Sequence, residues 1–384
     1  MKKIVFIILV GLFVFFAKGI CWGAVAKFEE LAGFEAFDSA EIQDFLDGLN
    51  GEVVTGVSFR ELMRNLMEGK LMEVFEDGAA AIRRSLFSEL RTNAGFMGQI
   101  LILAVIGAVF SGFAGIVGSS HVSETGFYVV YLLAMTLLAA SFFASITIAS
   151  EVIRNLLSFM QVLLPAYFLA VAVSGSAITS AATCGFTIGA IGVIQSVMGQ
   201  VLLPMMRIYM ILVVVGNLYK EDMISKLTGF LGTAVHWACK SMFGIVVGFH
   251  IIQGMVLPQA DALKNASMAR VLQILPGIGG GAGVLSQIVL GSGILIKNTA
   301  GAAAIVILLL MAMVPMGKLL VLMILYYLAA MVIQPVCDKR LVACMTGVAT
   351  GHGLLLKMIG YALALFMTTI AVICISTNAV WYAG

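Results

Sequence analysis

His236 and Lys240 stand four residues apart in an otherwise apolar stretch, and His250 follows further along. On a helix that spacing puts the imidazole and the ammonium on one face. Ionisable groups inside a membrane face the bundle interior or an aqueous path, so a proton or ion relay is one reading of the pair. The competing reading is structural: His236 hydrogen-bonds a neighbouring helix and Lys240 snorkels to the interface. Acids that would complete a proton-coupled path are scarce. Glu151, Asp261 and Asp338 all fall near predicted ends of apolar stretches, so buried carboxylates are not expected. The sequence holds no H-E-x-x-H, no G-x-x-x-x-G-K-[ST] and no G-x-S-x-G, the spacings that build zinc, phosphate and nucleophile sites. The glycine run at 277–283 lacks the Lys-Ser/Thr that would hold a phosphate and reads as a flexible break or re-entrant loop. Beyond residue 26 the cysteines are Cys184, Cys239, Cys337, Cys344 and Cys374, an odd number without C-x-x-C, which indicates neither a disulfide framework nor a thiolate metal site. The expectation is no catalytic residue, no cofactor and no metal.

The elements that carry these groups belong in lipid. Of 384 residues 61% are apolar and 11% are charged, against about 25% charged in a soluble domain. The net charge of +2 conceals an asymmetry: residues 27–95 hold 14 of the 20 acids and 7 of the 22 Lys and Arg. Nucleic acid is excluded as a partner class because no dense basic run exists to follow phosphates. Lys2 and Lys3, the apolar run from Ile4 to Ala17 and the closing Ala24-Val25-Ala26 read as a secretory signal peptide over 1–26, with an uncleaved anchor as the alternative. Residues 27–95 then form an acidic extracytoplasmic region of short amphipathic helices. Asp38 with Glu41, and Ser58 with Glu61, are N-terminal caps. Ile42, Phe45, Leu46 and Leu49 make one apolar stripe, and Phe59, Leu62, Met63 and Leu66 another. These stripes cover each other, a partner protein or the membrane surface; Phe45 and Leu46 are the candidate docking residues.

Residues 96–384 form the membrane domain. Low-charge stretches at about 98–118, 127–149, 156–174, 185–216, 229–256, 299–316, 319–335 and 354–376 predict eight spans. Pro204 and Arg207 interrupt the fourth, where a kink is expected. The segment 277–296 is a ninth candidate that reads as re-entrant. If it does not cross, six Lys and Arg fall inside against four outside and the C-terminus lies outside the cytoplasm, the arrangement positive-inside favours. Gly107, Ser111 and Gly115, Gly185 with Gly189, Gly244 with Gly248, and Gly347 with Gly351 stand four apart, a spacing that lets helix backbones approach. They support a compact bundle and leave homo-oligomers open. The fold class is all-α, a polytopic transmembrane helical bundle in a bacterial cell membrane.

Several stretches occur in a distinctive order: Leu163-Leu164-Pro165, Ser174-Gly175-Ser176, Thr179-Ser180-Ala181-Ala182, Ile274-Leu275-Pro276-Gly277-Ile278-Gly279-Gly280, Leu290-Gly291-Ser292-Gly293 through Lys297-Asn298, Val314-Pro315-Met316-Gly317-Lys318, Leu325-Tyr326-Tyr327-Leu328, and Gln334-Pro335-Val336-Cys337-Asp338-Lys339-Arg340. In that order and spacing the chain resembles the stage III sporulation protein AE family of spore-forming bacteria. An acid often precedes the family's proline where this chain has Gln334. The resemblance implies a non-enzymatic subunit of a channel-like sporulation complex in the mother-cell membrane around the forespore. Other membrane and exported sporulation proteins are its implied partners, and late forespore gene expression its implied requirement. It also marks Lys297, Lys318, Asp338 and Arg340 as functional positions. Their plain alternatives are interfacial anchoring for the lysines and a solvated loop pair for Asp338 and Arg340. A stand-alone secondary transporter is the alternative function, although no internal repeat of the kind such folds show is evident.

Overall fold

The computed structural model describes residues 37–49, 57–70, short stretches between 83 and 109, 120–218, 224–274, 279–335 and 337–382. The expected signal peptide and most of the expected first span, 98–118, lie outside the described residues. Those described are helical, without a strand. Two short helices, α1 (Ala40–Asp47) and α2 (Phe59–Met67), precede the long ones. These are α3 (Ser120–Val173), α4 (Ala177–Ser196), α5 (Leu203–Gly216), α6 (Ser225–Ile274), α7 (Gly279–Ile333) and α8 (Lys339–Tyr382). One π-helical stretch, Val197–Leu202, joins α4 to α5, so the pair is one rod.

α2 begins at its expected cap, Ser58, whereas α1 has Ser39 at the cap position without a side-chain bond, and the expected Asp38–Glu41 pairing gives way to a contact with Ala40. Asp38 accepts from the Ala40 N–H at 3.0 Å, and the Ser58 hydroxyl accepts from the Glu61 N–H. Gln43 joins the two, its side chain donating to the Val57 carbonyl and accepting from the Phe59 N–H. Their apolar stripes are covered by this chain itself. Ile42, Leu46, Phe59, Leu62, Met63 and Leu66 are buried; α1 packs on α3, where Phe45 meets Phe159, and α2 packs on α7. Phe45, expected with Leu46 to dock a partner, therefore faces α3 of the same molecule, and Leu46 is buried within the chain.

The long helices run side by side in fixed registers. α3 and α8 are parallel: Ser145 meets His352 and Tyr167 meets Cys374, each pair 207 residues apart. α7 runs antiparallel to α3, with Tyr326 bonded to Ser141 and Gly301 against Tyr167. α6 follows α8, Gly232 beside Leu354 and Gly254 beside Ser376. The α4–α5 rod opposes α6, with Phe186 stacked on Phe249 near one end and Tyr209 beside Gly232 near the other. α8 is the central helix, packed on α7, α6, α3 and α5.

These registers carry the polar interruptions of the apolar stretches to one height. Lys357 on α8 and Lys318 on α7 fall level with Glu151 on α3, and Arg154, His236 and Lys240 lie within about a turn of them. Gln195 just before the π-helical stretch and Gln200 within it lie at the same level. Glu151, Arg154, Gln195, Gln200, Lys240 and Lys357 are exposed; His236 and Lys318 are half-buried. A polar ring thus divides the apolar bundle into an upper layer, which holds the α7–α8 connection, and a lower layer, which holds the α3–α4 turn.

The ring also explains how the eight predicted spans differ from the structure. Among the described residues five rods are long and apolar enough to cross a membrane, each 40–46 residues in length. The stretches 127–149 and 156–174 are two halves of α3, and 299–316 and 319–335 two halves of α7. A charged residue ends a hydropathy run without ending the helix, because the backbone hydrogen bonds continue beneath it. The expected re-entrant break at 277–296 is not a separate element either: from Gly279 the helix runs without interruption to Ile333.

Candidate functional site

In the lower layer, α3 ends in the turn Ser174-Gly175-Ser176, and α4 starts at Ala177. Gly175 has φ 89°, a left-handed conformation that favours glycine. Ser174 is held by its hydroxyl, which donates to the Val171 carbonyl at 2.7 Å. Gly293 of α7 lies directly against this turn; a β-carbon there would sit 3.1 Å from both the nitrogen and the α-carbon of Ser174. The motif stretches 174–176 and 290–298, far apart in sequence, therefore meet.

The α4 N-terminus ends on a carboxylate from another helix. Asp261 of α6 is 1% exposed, and its two oxygens accept from the backbone N–H groups of Ile178 at 2.8 Å and Thr179 at 2.9 Å. Unpaired N–H groups and the helix dipole make this end of a helix attractive to an anion. Ser176 occupies the cap position but makes no side-chain cap bond. Asp261 corrects the expectation that no carboxylate is buried: it lies near the end of an apolar stretch, and the turn before α4 folds over it.

One turn from Gly293 lies Lys297, with no exposed surface. Its ammonium donates to the Thr377 hydroxyl of α8, which in turn donates to the Ile373 carbonyl at 2.7 Å. Among the described residues no carboxylate pairs with it. A turn further on, Gly301 lets α7 approach α3 and α8: a β-carbon there would stand 2.7 Å from the Cys374 sulfur and 3.2 Å from the Tyr167 hydroxyl oxygen. Tyr167 and Cys374 are themselves 2.9 Å apart. The lysine is thus enclosed between two glycines of its own helix that admit the neighbours closely. Interfacial anchoring does not describe it.

The other expected positions lie elsewhere. Lys318 pairs with Glu89 at 3.8 Å on the polar ring. Arg340 and Asp338 sit at the upper end, and they are more than a solvated pair. The guanidinium contacts both Asp338 oxygens, donates to the Leu218 carbonyl at 3.2 Å and lies 5.9 Å over the Tyr128 ring. It ties the α7–α8 and α5–α6 connections to each other and to α3. His236 stands beside the Tyr361 ring at 5.8 Å, and Lys240 is exposed, as a snorkelling lysine would be. The structure brings these two to the ring and does not join them to Lys297 or Asp261.

A serine–histidine contact escaped the sequence search. Ser145 and His352 lie 2.9 Å apart, 1% and 0% exposed, between α3 and α8. The His352 Nδ1 is 2.9 Å from the Val348 carbonyl, which can only accept, so Nδ1 carries the proton. In the neutral ring Nε2 can only accept, so it shares the single Ser145 hydroxyl proton with the Ser141 carbonyl, 3.0 Å from the same oxygen. Tyr326 of α7 donates to Ser141, one turn away on α3. The cluster joins three helices, and Gly351 beside it admits the Phe142 ring, 2.5 Å from where a β-carbon would be. The partners are 207 residues apart, so local spacing carried no signal for them. Among the described residues no group of three His, Cys, Asp or Glu side chains is placed to hold a metal ion.

The family model described as Stage III sporulation protein AE matches residues 57–377. The Stage III sporulation protein AE of Bacillus subtilis (strain 168) is 22% identical over 326 residues, covering 83% of this chain and 82% of the relative. No solved structure matches.

Proposed function

The chain belongs to the stage III sporulation protein AE family, and from that membership we propose that it is a non-enzymatic membrane subunit of a channel-like or secretion-like complex between mother cell and forespore. It acts in the mother-cell membrane around the forespore and supports late forespore gene expression. The supporting observation is how the motif stretches use their polar groups. Asp261 holds the start of α4, Lys297 bonds α8, and Arg340 ties the upper connections. These residues fix one helix to another, as a scaffold requires. Partners are other membrane and exported sporulation proteins.

The test is purification of the tagged full chain from sporulating cells. Co-isolation of other membrane and exported sporulation proteins is expected, together with loss of forespore gene expression in a deletion strain. Solute flux by the protein alone in liposomes would support the stand-alone transporter instead, and would end the scaffold reading.

A further inference from the structure

We propose that one bilayer surrounds only the upper layer of the bundle, and that the polar ring lies at the headgroups on the side where α1 and α2 dock. The height of the rods requires some such division. At about 1.5 Å per residue, rods of 40–46 residues measure roughly 60–70 Å, twice the ~30 Å of hydrocarbon. On α8 the distance from Lys357 up to Arg340 is about 26 Å, and down to Asn378 about 32 Å. Each layer alone matches a hydrocarbon core; both together do not.

The ring has the chemistry of a membrane surface. Glu151, Arg154, Lys240 and Lys357 point out of the bundle at one level, with Trp237 among them 69% exposed. Lysine, arginine and tryptophan gather at membrane–water interfaces for this reason. Arg207, the one charged residue of the α4–α5 rod, lies above the ring on α5, whose N-terminus faces the ring; helical side chains lean in that direction. The ring is about two helical turns tall, roughly 10 Å. That accommodates one headgroup layer, about 5–8 Å thick, but not two facing layers with water between them, so a second bilayer around the lower layer does not fit.

Two observations assign the hydrocarbon to the upper layer. First, α1 packs on α3 at Phe159, two turns below Glu151, and exposes Glu41, Asp44 and Asp47. A helix bearing three exposed carboxylates does not lie in hydrocarbon. Second, the outward faces differ in their polar groups, although both present large apolar side chains, Ile188, Ile252, Met255 and Leu263 among those of the lower layer. The upper layer presents Leu132, Leu133, Ile211, Leu328 and Val332, and its exposed threonines 136, 147, 233 and 346 bond carbonyls four residues back in their own helices. The lower layer exposes Gln161 and, on α4, Gly185, Gly189 and Gly192 with open space before them. Among the described residues the upper end also carries the basic residues Lys226, Lys339 and Arg340, against Lys264 and Arg270 at the lower end, and basic residues favour a cytoplasmic end. The lower layer's outer faces then meet protein or water, and the chain crosses the hydrocarbon with the five long rods.

Nitroxide labels on the full chain in proteoliposomes test this, with the native cysteines replaced. Labels at Leu133, Ile211 and Leu328 in the upper layer should be more accessible to oxygen than to a nickel chelate. Labels at Ile188, Ile252 and Leu263 in the lower layer should show the reverse ratio or be shielded from both. Oxygen preference at all six sites, or at the lower three alone, overturns the proposal. Quenching of Trp237 by brominated lipids needs no label, once Trp22 and Trp381 are replaced by Phe. Bromines near the headgroups should quench it more strongly than bromines at the bilayer centre, and the opposite order also overturns the proposal.

Discussion

Asp261→Ala removes the acceptor that ends α4 and leaves the N–H groups of Ile178 and Thr179 without it, the second of them in a buried environment. A buried N–H left without a partner costs about 1–3 kcal/mol, and the lost interaction of a charge with a helix N-terminus adds about 0.3–1 kcal/mol. Ser176 moderates the loss. Its hydroxyl is buried, without a partner among the described residues, and already at the cap position, from which it can accept from the Thr179 N–H. The expected cost is therefore about 2–4 kcal/mol for Asp261→Ala, and about 1 kcal/mol more when Ser176→Ala is added. Asp261→Asn keeps one acceptor oxygen and should lose about half as much. At about 2 °C per kcal/mol for a chain of this size, the apparent unfolding midpoint in detergent should fall by roughly 4–8 °C for the alanine variant. Protease nicking at the 174–176 turn should rise in the same order. An Asp261→Ala protein that unfolds within a degree of the parent, with Ser176→Ala adding nothing, would show that this carboxylate does not hold α4.

Other expectations follow from the packing. Lys297→Met replaces a buried ammonium bonded to one hydroxyl with an apolar chain of similar length; it should leave the midpoint unchanged or raise it, by up to about 1–4 kcal/mol of stability, while spore yield falls. Counting heat-resistant spores beside a melting curve separates the two effects. Gly351→Ala places a methyl against the Phe142 ring and should cost about 1–3 kcal/mol, partly recovered by Phe142→Leu, whereas Gly189→Ala, with open space before it, should leave the isolated protein's midpoint unchanged. Leu46→Asp buries a carboxylate under α1, where Leu46 is 1% exposed; proteolysis around α1 should accelerate while membrane insertion persists. Arg340→Lys cannot reproduce the fork that reaches Asp338 and the Leu218 carbonyl together, so it should lose most of what Arg340→Ala loses, about 1–2 kcal/mol, in the same melting assay.

Composition and hydropathy fixed the class, because so apolar a chain has no soluble solution and a hydrogen-bonded helix is the way such backbone enters lipid. The start of α1 and the cap of α2 were legible to within a residue for a local reason: Asp38 and Ser58 bond N–H groups two or three residues away, although Ser39 rather than Asp38 holds the α1 cap position. Hydropathy likewise located the interruptions at Glu151, Arg154 and Lys318, whereas Lys240 and Lys357 fell inside the expected spans 229–256 and 354–376. It read those at Glu151 and Lys318 as ends of spans, although the helices continue through them. What the sequence alone could not decide was height and enclosure. Whether Lys297 lies at a surface or inside depends on Thr377 and on how closely Gly293 and Gly301 admit other helices. Whether Asp261 is free or bonded depends on a turn more than eighty residues away. Only the registers between rods, set by close contacts such as Gly351 with Phe142, brought the scattered charges into one ring, because those contacts join residues whose separation along the chain carries no period.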